Sequence, residues 1–198
     1  MHLLVTRPEP DAAGLIAGLE LAGHKVRHFP LLEIRFHQSA EMPEIKPQAV
    51  LITSANGARG MERLADMQAF SDILAITVGA SSAAAAEQAG FTNICKTGRG
   101  DVVGMIDYVR THLKPENGTL LYASGHKTSG DLAGQLRESG FVVERVVLYQ
   151  AVRAEKLPDE LCQLIRDGGI DGVLLFSPRT AKIWLSVALS KSGGCVSG

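Results

Sequence analysis

Hydroxyl side chains and glycines gather in five short stretches of this sequence: "TRPEP" (6–10), "TSANG" (53–57), "GASSA" (79–83), "SGHKTSG" (124–130) and "SPRTA" (177–181). Each follows an apolar run of strand length and most open a helical pattern. Small residues let a ligand approach the backbone. Serine and threonine hydroxyls add hydrogen bonds, and the free N–H groups of a helix start carry partial positive charge. Such junctions accept carboxylates or phosphates. Any one of them serves equally well as an ordinary N-cap. All five together point to a bound polyanion held by local groups. Two are near copies: "VLITSANGAR" (50–59) and "VLLFSPRTAK" (173–182) place Ser54 opposite Ser177.

Other residues narrow the chemistry. His126 sits at a strand end beside Lys127 and is a ligand-contact candidate, while the six histidines as a set show no metal-ligand spacing. The three cysteines (Cys95, Cys162, Cys195) lie far apart and suggest neither a disulfide framework nor a zinc site. There is no G-x-G-x-x-G after a strand and no G-x-x-x-x-G-K-S/T, so nucleotide and sugar-phosphate readings lack their fingerprints. No serine stands in a nucleophile elbow. The expectation is a binding surface with little covalent chemistry, no cofactor and no metal. Tyr149 stands apart in "VVLYQAV", where its phenol can act as a proton donor or its ring can simply pack.

Bulk properties agree. A formal net charge of −1 gives no field for nucleic acid. No apolar run approaches the roughly 18 residues of a membrane helix. "MHLLVTRPEP" meets Arg7 and Pro8 before a signal-peptide core can form. A reduced, cytoplasmic protein is expected, with no membrane or nucleic-acid partner, and a monomer.

The elements that must position these residues alternate. Strands read at 2–6, 49–53, 74–78, 92–96, 118–123 and 141–149, with helices at about 56–66, 82–89, 101–113 and 128–139. "PEPDAAGLIAGLELAG" carries Leu15, Ile16, Leu19 and Ala22 at helical spacing, with Gly23 as a stop. "KVRHFPLLEI" (25–34) reads extended, and a last strand at 172–176 feeds a helix at about 179–190. This grammar predicts parallel sheets covered on both faces. "IRFHQSAEMPEIKPQ" (34–48) and "AVRAEKLPDE" (151–160) break the rhythm, being polar and marked by proline. They bracket about five strands. The architecture expected is an α/β domain of residues 37–148 inserted into an outer α/β domain of 1–34 and 155–198. The crossings at 30–36 and 147–154 would be linker strands, paired antiparallel.

"VTRP", "ITSANGA", "VGASSAAAAEQAG", "VVLYQAV" and "LLFSPRTA" stand in an order and spacing that resembles the uroporphyrinogen-III synthases across essentially the whole chain. The resemblance implies two parallel-sheet, flavodoxin-like domains, one inserted in the other, joined by a two-stranded β-ladder with the active site between them. It implies cyclisation of the linear tetrapyrrole hydroxymethylbilane to uroporphyrinogen III, with inversion of the last ring, loss of water and no cofactor. Tyr149 matches the family's tyrosine and is the implied general acid. Thr53, Ser54, Ser82, Ser124, His126 and Ser177 are expected to contact substrate carboxylates, Ser82 standing where the family has threonine. Arg7 matches the arginine of V-T-R-P and is expected either to bind substrate or to pin the first strand's end through an ion pair. Family members continue with another junction and further helix–strand units where this sequence reads "KSGGCVSG". The outer domain is therefore expected to be incomplete, with an exposed edge at 172–176. The competing expectation is a non-catalytic module that binds a small polyanion.

Overall fold

Strands buried on both faces of a sheet need unbroken apolar runs, and two segments supply them: Ala49–Ile52 and Leu120–Gly125 are buried at every position. The computed structural model describes residues 1–37, 42, 46–128 and 130–189. In chain order its elements begin with β1 (His2–Val5), α1 (Ala13–Leu21), β2 (Lys25–His28), β3 (Leu32–Phe36), β4 (Ala49–Ile52) and α2 (Ala55–Glu62). There follow β5 (Leu74–Thr77), α3 (Ala80–Gln88), β6 (Ile94–Lys96), α4 (Val102–His112), β7 (Leu120–Gly125) and α5 (Leu132–Glu138). The last are β8 (Val143–Arg153), α6 (Asp159–Arg166), β9 (Gly172–Leu174) and α7 (Pro178–Ala188). The chain divides into two compact units, one of residues 1–34 with the chain from Ala151 onward, the other of residues 35–150.

The second unit is built on a six-stranded sheet of order β3-β8-β7-β4-β5-β6, in which β8, β7, β4, β5 and β6 run parallel. Side chains alternate along a strand, so each strand feeds two cores. Val50 and Ile52 pack with Leu121, Ala123, Val146 and Leu148; Ala49 and Leu51 pack with Leu120, Tyr122 and Val143. Helices α2 and α3 close the first core through Ala58, Met61, Ala85 and Ala86. The second is closed by α4 and α5 through Met105, Ile106, Val109, Leu132 and Leu136. Each large aliphatic side chain so buried contributes about 1.5–3 kcal/mol. At the sheet's other end β3 lies beside β8. His37 N–H donates to the Leu148 carbonyl at 2.9 Å and Ala154 N–H to that of Leu31 at 3.0 Å, so the pair is antiparallel.

The first unit carries a parallel sheet of order β2-β1-β9. Its core gathers Leu31, Leu157, Cys162, Ile183, Val187 and Ala188. Helix α1 forms as its spacing predicts, yet none of its residues is fully buried.

Several boundaries differ from those expected, each for a local reason. "KVRHFPLLEI" parts at Phe29–Pro30 into β2 and the expected crossing strand, β3, which joins the larger sheet as a sixth strand beside the five anticipated. The segment 151–160 is less irregular than its composition suggests: β8 runs on to Arg153 and α6 starts at Asp159. Asp159 and Glu160 lie in the first turn of α6 and Arg166 in its last, which complements the helix dipole. Helix α5 starts later than predicted because Asp131 caps it, its Oδ1 accepting the Gly134 N–H at 2.9 Å. The stop anticipated at Gly23 holds, and Gly90 and Gly140 likewise stand at positive φ just past a helix.

Asp101 caps α4, its Oδ1 accepting the Gly104 N–H at 2.7 Å. Asp101→Ala is expected to cost about 1 kcal/mol, read as a lower urea midpoint at unchanged slope. No change in midpoint would mean the cap is replaced by solvent.

Candidate functional site

Chain turns at the carboxyl end of β4 decide the site's first half. After Ile52 the backbone stays extended through Ser54 (φ −152°, ψ 154°), which caps α2 by accepting the Gly57 N–H at 3.2 Å. The same hydroxyl lies 2.9 Å from the Tyr149 Oη on β8. Neighbouring Thr53 places its Oγ1 3.3 Å from the Tyr122 Oη. Ser177 repeats the Ser54 geometry in the other unit (φ −157°, ψ 157°), accepting the Thr180 N–H at 3.1 Å while Thr180 Oγ1 accepts the Ser177 N–H at 3.0 Å. The two similar decapeptides thus build the same strand–cap–helix junction, each first as an N-cap.

What brings Ser54 to Tyr149 is a set of glycines. A Cβ on Gly57 would stand 2.8 Å from the Ala123 carbonyl oxygen, and one on Gly60 only 2.6 Å from the Leu148 Cβ. Helix α2 therefore rests its glycine face directly on β7 and β8. On the neighbouring strand, a Cβ on Gly125 would come 2.7 Å from the Tyr149 Cζ. The tyrosine ring lies in the space that Gly125 leaves.

A bulge in β8 sets the ring's side. Ser124 pairs with Val147 but Gly125 pairs with Tyr149, so Leu148 is an extra residue in the ladder. In a regular strand Tyr149 would face away from Val146 and Leu148. Here Val146, Leu148 and Tyr149 all pack on the α2–α3 side of the sheet. The phenol is half-buried, its ring tilted 53° against Phe36 with centroids 6.3 Å apart. The Arg63 guanidinium lies 4.4 Å from the Phe36 centroid.

The remaining expected contacts divide. Ser82 is buried in the first turn of α3. Ser124 is buried too, and its hydroxyl is engaged twice: it donates to the Val146 carbonyl at 3.2 Å and accepts from Arg145 Nε at 2.9 Å. That leaves it holding strands together. His126 is exposed, its backbone N–H donating to the Tyr149 carbonyl at 2.8 Å. Arg7 and Ser177 belong to the first unit. Arg7 has an aromatic partner in place of the anticipated carboxylate, its guanidinium 5.4 Å from the Phe176 centroid. Among the described residues no three His, Cys, Asp or Glu side chains are grouped to share a metal ion. None of the described helices is long and apolar enough to cross a membrane.

Sequence reasoning missed Arg145, Gly125 and the Gly57–Gly60 face. Signals existed: "FVVERVVLY" carries a charged pair inside an apolar run, and "NGARG" spaces two glycines one helical turn apart.

Comparison with known proteins follows the same lines. A family model described as uroporphyrinogen-III synthase HemD matches residues 13–195. Among solved structures, uroporphyrinogen-III synthetase from Helicobacter pylori superposes with a TM-score of 0.59 at 16% identity, covering 93% of this chain and 78% of that one. A mutant uroporphyrinogen III synthase from Thermus thermophilus gives 0.53 at 15% identity, covering 94% and 76%. At these identities the likeness speaks for the fold, mixed α/β with parallel sheets. No curated protein matches the sequence significantly.

Proposed function

Because the chain belongs to the uroporphyrinogen-III synthase family, matched over residues 13–195, we propose that its own residues cyclise hydroxymethylbilane to uroporphyrinogen III with Tyr149 as proton donor. The family makes it a cyclising lyase of porphyrin and heme biosynthesis. The observation that carries the residue assignment is the 2.9 Å contact between Tyr149 Oη and Ser54 Oγ at the start of α2.

The proton path follows from that contact. The substrate's terminal hydroxyl leaves as water only if a proton arrives while the C–O bond breaks. The Tyr149 phenol is the group placed to supply that proton. As Tyr149 gives it up, the developing phenolate accepts a hydrogen bond from the Ser54 hydroxyl. Ser54 in turn accepts the Gly57 N–H at the positive end of α2. Donors already in place at the site of charge development lower the barrier. Ring closure at the inverted last pyrrole expels a proton from the attacking carbon, which restores the phenol.

Holding the substrate is the other half. Hydroxymethylbilane carries eight carboxylates, and unassisted closure proceeds without inversion. The substrate must therefore be folded so that the correct carbon attacks. Thr53, Ser82 and His126 in one unit, and Arg7 and Ser177 in the other, are the proposed carboxylate contacts. Ser124 contributes through the strand it secures. We take the two units to be the family's two domains, the second inserted in the first, with 30–36 and 147–154 as linker strands. The antiparallel bonds at His37 and Ala154 support the ladder. The protein is expected to act in the cytoplasm as a monomer, with no cofactor.

The test is the isomer formed from hydroxymethylbilane. Type III product well above the spontaneous type I background supports the reading. Type I alone, with product shown to bind, would leave a polyanion-binding module. A companion variant probes the relay: Ser54→Ala removes an N-cap worth about 1 kcal/mol and the partner of the phenol. Its rate should fall several-fold even at temperatures where the variant is fully folded. An unchanged rate would remove Ser54 from the proton path.

A further inference from the structure

The guanidinium of Arg145 makes three hydrogen bonds to consecutive residues at the end of β7. Nε donates to the Ser124 Oγ at 2.9 Å, and Nη2 donates to the Gly125 carbonyl at 2.7 Å and the His126 carbonyl at 2.9 Å. Those same residues define where Tyr149 stands. Gly125 lies against the ring so closely that a methyl group there would meet Cζ at 2.7 Å. His126 donates its N–H to the Tyr149 carbonyl at 2.8 Å. Arg145 itself precedes the bulge at Leu148, whereas Tyr149 follows it.

From this geometry we infer that Arg145 is a positioning residue for the Tyr149 phenol. It acts through segment 124–126, by the Ser124 hydroxyl and the Gly125 and His126 carbonyls, and touches neither the phenol nor Ser54. A bulge leaves the ladder locally irregular, so the strand after it can shift unless something fixes its partner. The fork of a guanidinium suits that task, since it offers several donors in one plane and holds several acceptors at fixed separation. With segment 124–126 fixed, Gly125 and Ser54 together confine the phenol to one place. Released, the segment lets the ring move away from Ser54, and a displacement of about 1 Å at a reacting group can cost up to about a hundredfold in rate. The inference rests on the proposed role of Tyr149.

Arg145→Met keeps most of the side chain's length and removes every donor. Arg145 is exposed, so the variant should fold, and thermal melting checks that it does. The expected result is a kcat for type III formation about tenfold lower, with KM changed less than twofold, because a positioning defect acts on the step and not on binding. Arg145→Lys, which retains a donor, should recover part of the loss. Gly125→Ala should reproduce the same kcat signature from the other side of the ring. In a Tyr149→Phe background Arg145→Met should cost little more, since both changes act on one group.

A second readout is independent of turnover. The chain has three tyrosines, so ring-13C-tyrosine spectra are simple, and Tyr149→Phe identifies the Tyr149 resonance. That resonance should shift or broaden in Arg145→Met and Gly125→Ala. A raised KM at unchanged kcat would make Arg145 a carboxylate contact and overturn the inference. So would an unmoved Tyr149 resonance, whatever the rate. If Tyr149→Phe is itself fully active, the donor role is lost, and the resonance alone decides whether Arg145 places the ring.

Discussion

In Tyr149→Phe the rate of type III formation is expected to fall at least about tenfold, the usual contribution of a positioned proton donor being 10² to 10⁴. The substitution keeps the ring, so its contacts with Phe36 and Gly125 survive. What disappears is one hydroxyl, 2.9 Å from Ser54. A lost hydrogen bond of this kind, with the partner still reachable by water, changes stability by about 1 kcal/mol or less. A large fall in rate beside a small change in melting is the signature that separates chemistry from packing. Residual product should shift toward type I, because spontaneous closure then competes. If type III continues at the parent rate, Tyr149 is a packing residue and the donor must be sought elsewhere.

Gly60→Ala and Gly18→Ala are expected to change stability in opposite directions. Both glycines lie inside helices, so alanine brings each a propensity gain of up to about 1 kcal/mol. At Gly18 on α1 no atom lies within 4 Å of an added Cβ, and the gain is realised in full. At Gly60 the new Cβ would meet the Leu148 Cβ at 2.6 Å, with further Leu148 atoms at 3.2 and 3.4 Å. Overpacking of that kind costs about 1–3 kcal/mol, which outweighs the propensity term. The collision also falls on the bulge residue, so Gly60→Ala should weaken turnover as well as folding. Urea denaturation of both variants checks the sign. Stabilisation in both would show that α2 can lift from β8 without cost, and the close approach would not be what holds Ser54 near Tyr149.

Much of this was legible in the residues because it depends on local rules. Apolar runs at 49–52, 74–77 and 120–123 are too short for helices and are bounded by turn residues, so they read as strands of a covered parallel sheet. Ser54, Asp101 and Ser177 announce helix starts by a side chain that reaches the third N–H beyond it. Where reading failed, the deciding interaction was non-local or compositionally masked. Ala151, Val152 and Arg153 head a stretch that reads as irregular, yet they continue β8 because β3 lies beside it. The short helix α6 follows a proline within a charged stretch that composition alone marks as loop.

The site divides the same way. By itself the sequence determined which groups are available: a tyrosine in "VVLYQAV", hydroxyls at the strand ends, and glycines beside them. It determined the parallel α/β grammar as well, because strand, cap and helix stop are each encoded within a few neighbouring residues. Tertiary structure alone decided which hydroxyl faces the phenol. Alternation along a regular strand would turn Tyr149 away from Leu148 and so away from α2. One extra residue in β8, opposite Gly125, reverses that and sets the phenol against Ser54. Pairing register is a relation between two strands some 20 residues apart. No pattern within either strand contains it.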